Sequence, residues 1–113
     1  MNDLTTATLH AAMRGLAQRQ RVIADNIANV DTPGFLAGKV EFESSLRDAV
    51  RTGDPAGVRP VTERSLAPTG PNGNNVQLDE ETLSNIQTGL RYQVAVEAMN
   101  AKFALLRTAI GGR

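Results

Sequence analysis

Few side chains in this chain are of the types that carry out chemistry. His10 is the only histidine, and its helical neighbours Met13 and Arg14 supply no second metal ligand, so it fits a surface or packing residue better than a catalyst. The three consecutive carboxylates of residues 79–81 are near enough in sequence to form an acid–base pair. The start of a helix already accounts for them, because carboxylates there face the positive end of the helix dipole.

Motifs of enzymes and cofactor sites are missing from the pattern. The chain has no cysteine, which excludes disulfides and thiolate metal sites. Its glycines lie in turns rich in proline and asparagine rather than after a buried strand, so no P-loop, dinucleotide fingerprint or nucleophile elbow is present. We therefore predict a protein that is not an enzyme and that uses no cofactor and no metal ion.

Length and charge narrow the possible partners. The 113 residues fit one small domain, and twelve basic side chains balance twelve acidic ones without a basic block, which argues against nucleic acid. No apolar run approaches the roughly 18 residues of a membrane span, so direct membrane insertion is not expected. The first residues also lack the basic-then-apolar layout of a cleaved signal peptide, so any export should use another route.

The elements that must position these side chains are two long helices, one at each end of the chain. The first is predicted from about Asp3, as N-cap, to Val30. Its apolar side chains recur at intervals of seven with additions four residues later, which indicates a coiled-coil-like seam. The seam consists of Leu9, Met13, Leu16, Ile23, Ile27 and Val30.

The second long helix is predicted from Asp79, as N-cap, to Ile110, and Gly111-Gly112 should end it. It has two apolar rows, and a single partner helix covers only one of them. The first row, which advances by alternating steps of four and three, is Tyr92, Val96, Met99, Phe103, Leu106 and Ile110. The second row is Leu83, Ile86, Leu90, Val94, Ala101 and Leu105.

Residues 26–35 join the first helix to the middle of the chain. Pro33 disfavours helical backbone at Thr32, and Pro33-Gly34 suits the centre of a type II turn. Asn29 and Asp31 carry side chains able to bond the backbone groups that the ending helix leaves unpaired. A helix stop followed by a turn is a sufficient local explanation, and the residues we single out are Asn26, Ala28, Asn29, Thr32, Pro33, Gly34 and Phe35.

Residues 32–78 form a connecting segment rich in proline and glycine, between segments 1–31 and 79–113. One short helix is predicted in it, with an apolar face, an i,i+4 pair between Glu43 and Arg47, and Gly53 as its end. From residue 52 to 75 we expect extended or mobile chain, with a short hairpin around Asn72-Gly73 as its only regular element. The face of the short helix is Phe42, Leu46, Ala49 and Val50.

The predicted fold is mainly α: two long terminal helices pack as an antiparallel coiled-coil-like pair, joined by a largely irregular middle. The connecting segment is too polar to cover the second row of the C-terminal helix. Since burying one leucine-sized side chain is worth about 1.5–3 kcal/mol, the uncovered row favours association with other chains. The alternative is a monomeric helical hairpin in which Phe35, Val40 and Phe42 fold back as a lid.

Two stretches resemble one family. Residues 26–35, Asn-Ile-Ala-Asn-Val-Asp-Thr-Pro-Gly-Phe, are similar to the N-terminal signature of bacterial flagellar axial proteins, the rod and hook family. Residues 72–81, 90–93 and 102–110 resemble the C-terminal half of a proximal rod member, with a sister proximal rod protein as the alternative. The chain departs from the family pattern in two places, at Phe35, where many relatives carry tyrosine, and at Gln77, where aspartate is usual.

The resemblance implies a structural rod subunit of the flagellar basal body that is exported unfolded, without a cleaved signal, and assembles in the periplasm into a tube. Its terminal helices would pack as coiled coils in the inner layers, and the bend at residues 26–35 would contact adjacent subunits. The implied partners are further copies, other rod proteins, the MS-ring protein, the FliE adaptor and the flagellar export apparatus. A small helical adaptor that binds a regulatory partner is the alternative from another functional class.

Overall fold

The computed structural model describes residues 3–111. Along the chain lie helix α1 (Leu4–Ala28), strand β1 (Gly38–Glu41), helix α2 (Glu43–Thr52), a 3-10 turn (Pro55–Gly57), strand β2 (Val61–Arg64) and helix α3 (Leu78–Gly111). The fold is mainly helical, with its two long helices packed together, which confirms the predicted fold class. None of the described helices is long and apolar enough to cross a membrane.

Helix α1 begins where the sequence predicted and ends slightly earlier. The Asp3 carboxylate accepts a hydrogen bond from the Thr6 backbone N–H at 2.7 Å, which confirms Asp3 as the N-cap. The helix ends at Ala28, two residues before the predicted Val30, because the Asn29 side-chain amide donates to the Asp25 backbone carbonyl. That bond satisfies a carbonyl in the last turn, so the polar residues of the turn end the helix before Pro33 does.

Helix α3 begins one residue before the predicted N-cap. Asp79 therefore lies in the first turn, where its carboxylate accepts from the Glu80 backbone N–H at 3.0 Å. The acidic residues of this turn still face the positive end of the helix dipole, as the sequence predicted. The helix continues to Gly111, and the predicted stop at Gly112 lies outside the described residues.

Helices α1 and α3 run antiparallel, and side-chain contacts fix their relative position at both ends. At one end the Lys102 ammonium lies 2.7 Å from the Asp3 carboxylate. At the other end the Asn26 side chain donates to the Glu81 carboxylate at 3.1 Å. Helix α3 therefore extends past the end of α1 by its residues 103–111, and the described chain is an elongated body of 65 × 26 × 14 Å.

The connecting segment is more regular than predicted. Strands β1 and β2 form an antiparallel pair in which Val40 lies opposite Thr62. No hairpin forms at Asn72-Gly73, because that loop bonds to other parts of the chain instead of pairing with itself. Helix α2 forms as predicted and ends at Gly53 with a left-handed φ of 85°. Its Glu43, however, pairs with Arg19 rather than with the predicted Arg47.

A small core joins α1 to the connecting segment. Leu16, Val40, Phe42 and Val58 are buried together, so two of the three residues named for the alternative lid do fold back onto the helices. Gly15 makes this possible: a Cβ at that position would lie 2.5 Å from the Phe42 ring. The ring therefore packs directly on the backbone of α1, and the connecting segment covers the side of α1 that α3 leaves open.

Candidate assembly surfaces

One face of α3 is apolar and uncovered. Leu83, Ile86, Leu90 and Val94 are more than half exposed, and we call these four residues the outer ridge. Thr88, Ala95 and Met99, which face α1, are buried instead. The ridge therefore lies on the side of α3 opposite to its partner helix. This is the row that the sequence analysis expected to remain without cover.

The C-terminal end of α3 is also uncovered. Residues 103–111, which we call the overhang, continue the helix beyond the Asp3–Lys102 contact, where α1 no longer accompanies it. Phe103 is about half exposed and Ile110 is 80% exposed, whereas Met99, one turn earlier, is buried. Of the other residues predicted in this first row, Tyr92, Val96 and Leu106 are partly buried.

The N-terminal seam mostly faces inward. Leu16 and Ile23 are buried, and Leu9, Ile27 and Val30 are partly buried. The exposed apolar area of the molecule therefore comes chiefly from α3, since α3 is longer than α1 and has two apolar rows.

Residues 29–35, the turn after α1, are fastened to the loop of residues 70–76. The Asn74 side-chain amide donates to the backbone carbonyls of Asn29 and Thr32, each at 2.8 Å. The Gly34 backbone N–H donates to the Asn72 carbonyl at 2.8 Å, and Gly34 has the positive φ of 74° predicted for the turn. We call this intramolecular contact the clasp.

Asn75 extends the clasp to a second loop. Its Oδ1 accepts from the Ala37 backbone N–H at 2.7 Å, and its side-chain amide donates to the carbonyls of Ser65 and Ala67. These bonds hold the loop between Ser65 and Ala67 with Leu66 94% exposed. The segment that was expected to be extended or mobile is thus tied down by two asparagine side chains.

Asn26 is the most buried polar residue of the predicted motif, at 1% exposure. Its Oδ1 accepts from the Gly38 N–H at 2.8 Å, and its Nδ2 donates to the Gly38 carbonyl and to the Glu81 carboxylate. One side chain therefore joins α1, β1 and α3. Glu81 is itself 4% exposed, so this contact also partners a buried carboxylate.

The other motif residues lie on the surface. Ala28, Thr32, Pro33 and Gly34 are exposed, and Phe35 is partly buried with the Arg64 guanidinium 5.4 Å from its ring centre. The motif thus has two roles in the structure, because its interior asparagine fixes the helices while its turn presents an exposed corner held by the clasp.

Two ion pairs complete the frame. Arg19 donates to both oxygens of Glu43, at 2.6 and 2.7 Å, and also to the Val40 carbonyl, while its guanidinium lies over the Phe42 ring. This pairing raises the pKa of Arg19 and lowers the pKa of Glu43. Hydrogen bonds to Asp3, from Lys102 first and then from the backbone N–H of Thr6, lower the pKa of the Asp3 carboxyl to about 2.

Sequence reasoning missed the contacts of Asn26 and Arg19, and it assigned Glu81 only to the helix dipole. A signal was present: Glu81, Thr88, Ala95 and Lys102 recur at intervals of seven, and this stripe faces α1. It was overlooked because its members are small or polar. Within residues 3–111, no group of three His, Cys, Asp or Glu side chains is placed to hold a metal ion.

Comparison with known proteins places these features in context. Residues 8–35 match the family model described as flagella basal body rod protein. The chain is 35% identical to the flagellar basal body rod protein FlgB of Bacillus subtilis (strain 168), over 96% of this chain and 94% of that protein. It is 33% identical to FlgB of Escherichia coli (strain K12), over 76% of this chain and 78% of that protein. For FlgB of Borreliella burgdorferi the identity is 30%, over 83% and 87%.

Proposed function

Since the chain belongs to the FlgB family of flagellar basal body rod proteins and is thus a structural subunit of the rod, we propose that it assembles through the outer ridge and the overhang of α3, together with the partly buried seam of α1. The exposure of these surfaces in the single chain is the observation that carries the proposal.

The energetic reason is the apolar area that one chain leaves exposed. Fully burying a leucine or isoleucine is worth about 1.5–3 kcal/mol, so a side chain already half covered still offers roughly 1 kcal/mol. The ridge and the overhang together hold more than six such side chains. That total is comparable to the stability of a small domain, so association is a strong drive for this molecule.

We further propose the proximal end of the rod, in the periplasm, as the place of this subunit, after export by the flagellar apparatus without a cleaved signal. The partners at that place are other copies, other rod proteins, the MS-ring protein and the FliE adaptor. No catalytic step is part of this function. The name shared by the relatives supports the basal body, and the resemblance of residues 26–35 and 72–81 supports the proximal position over that of the sister protein FlgC.

The experiment replaces Phe103 and Leu106 together with aspartate in motile cells. We expect the protein to be exported, because export precedes folding, but we expect no rods in isolated basal bodies and no swimming. The control carries aspartate at Asn100 and Thr108, two exposed positions on the same end of α3 that lie outside the first row. Normal motility of the Phe103→Asp/Leu106→Asp variant would contradict assembly through this seam.

A further inference from the structure

The two uncovered surfaces of α3 lie at opposite ends of the helix and on opposite sides of it. The outer ridge begins near the start of α3 and faces away from α1. The overhang lies at the far end, and Phe103, Leu106 and Ile110 continue the row that Met99 buries against α1. The overhang therefore presents its apolar side towards the space directly beyond the end of α1.

We propose that a second copy of the chain, in the same orientation, fills that space, so that its outer ridge packs on the overhang of the first copy. The proposal rests on the rod-subunit function and specifies which surfaces of neighbouring copies meet. Packed helices lie about 8–10 Å apart, so a sideways shift of one helix spacing brings the ridge of the second copy against the overhang. No rotation is needed, since the two apolar faces already point in opposite directions.

The axial shift follows from the position of Asp3. Because Asp3 lies beside Lys102, the second copy cannot begin α3 below the level of Phe103. Leu78 would then lie near Phe103 and Leu83 would lie within a turn of Ile110. At 1.5 Å per residue, the shift is about 38 Å. The lengths also agree, since residues 103–111 and 78–86 each span about 12 Å of helix.

Charges at the two ends are complementary. The overhang carries Arg107, whereas the first turn of α3 carries the exposed acids Asp79 and Glu80. In the proposed contact Arg107 of one copy lies within about one turn of Asp79 in the next copy, which is within the reach of its side chain. The contact therefore pairs an apolar face with an apolar face and a cation with an anion.

A contact between two different surfaces of the same chain does not close on itself when the copies share one orientation. Each copy keeps a free ridge at one end and a free overhang at the other, so the contact adds copies in a row. This gives the polymer a direction: the overhang always points to the same end.

The absence of cysteine from the chain allows a direct test. A double variant, Leu83→Cys/Ile110→Cys, is expressed in motile cells, basal bodies are isolated, and a mild oxidant is added. A disulfide requires Cα atoms within about 7 Å, so it reports only close neighbours. The matched control is Val94→Cys/Ile110→Cys, since Val94 is on the same ridge and similarly exposed but about 16 Å further along the helix than Leu83.

We expect the Leu83→Cys/Ile110→Cys variant to give a ladder of cross-linked dimers and higher multimers of this chain, identified by mass spectrometry. Each single-cysteine variant should give no ladder, and the control should give at least a tenfold weaker one. Intact basal bodies without the ladder, a ladder of equal strength in the control, or a cross-link only to a different protein would each overturn the proposed contact. The rod-subunit function would be unaffected by these results.

Charge reversal supplies a second readout if the cysteine variants do not assemble. Arg107→Glu should reduce the yield of basal bodies several-fold, and Arg107→Glu/Asp79→Arg should restore most of it. Equal loss in the single and the double variant would overturn the contact. The single change Asp79→Arg shows how much of any loss comes from the start of α3 alone.

Discussion

Replacing Asn26 with alanine should destabilise the pairing of the two long helices more than any other single change in residues 26–35. The substitution removes the partner of the Gly38 N–H, one partner of the Gly38 carbonyl and a donor to the buried Glu81 carboxylate. All three groups lie in the interior, where water does not replace the lost side chain.

The magnitude follows from those contacts. A buried polar group left without its partner costs about 1–3 kcal/mol, and more when it is charged. Three such groups, two of them neutral and one ionised, amount to roughly 3–6 kcal/mol. Since small domains are stable by only about 5–15 kcal/mol, this loss removes a large share of the folded population.

Urea denaturation of the purified chain, followed by the helical circular-dichroism signal, measures this free energy of unfolding. The matched control is Asn29→Ala, because Asn29 belongs to the same motif but its bonds to Asp25 and Thr32 are exposed. That variant should lose about 1 kcal/mol or less. An Asn26→Ala variant that loses no more than the Asn29→Ala variant would refute the reasoning.

Three other changes test the frame. Lys102→Met removes the main cause of the lowered Asp3 pKa; because that pKa falls from 3.8 to about 2, the contribution of this carboxyl to stability is present above pH 3.8 and is lost as the pH falls towards 2, so acid unfolding of the variant should depend less on pH in that window. Gly15→Ala should lower the free energy of unfolding by about 1 kcal/mol or more despite the better helix propensity of alanine, because the Phe42 ring must move; a urea midpoint above that of the parent chain would contradict this packing. Gly34→Val should cost more than about 1 kcal/mol in urea denaturation, whereas Gly34→Asn should cost less, since asparagine tolerates positive φ and the site has space for a side chain; equal losses would argue against the turn geometry.

The long helices and the uncovered row could be predicted from the sequence because period and capping are local signals. Asp3 as the N-cap, Gly53 as the end of α2, and Leu83 to Val94 as a row without cover all follow from residues near one another in the chain. The end of α1 was misplaced by two residues, since the side-chain bond of Asn29 competes with the helix over a very short distance.

The connecting segment was predicted less well because its order comes from contacts distant in sequence. Asn74 and Asn75 bond to residues 8 to 45 positions away, and a pattern of turn-forming residues contains no record of such partners. Arg19 likewise selects Glu43, 24 positions away, over the local pair that helical spacing favours. The inner face of α3 was missed for a different reason: its stripe is made of Glu81, Thr88, Ala95 and Lys102, which apolar periodicity does not detect.

The clasp changes the interpretation of residues 26–35. Sequence reasoning placed the bend at an interface with neighbouring subunits, and that remains a prediction for the exposed Pro33 and Thr32. The structure adds an internal role, since the turn is held by Asn72 and Asn74 of the same chain. A corner held in this way presents a fixed surface rather than a flexible one.

A density map of the intact basal body, at a resolution that shows side chains, tests the central claim most directly. We predict that α1 and α3 of each copy of this subunit lie in the inner layer of the rod, with the outer ridge and the overhang both covered by neighbouring chains. A map in which Leu83, Leu90 and Ile110 face solvent would contradict assembly through α3.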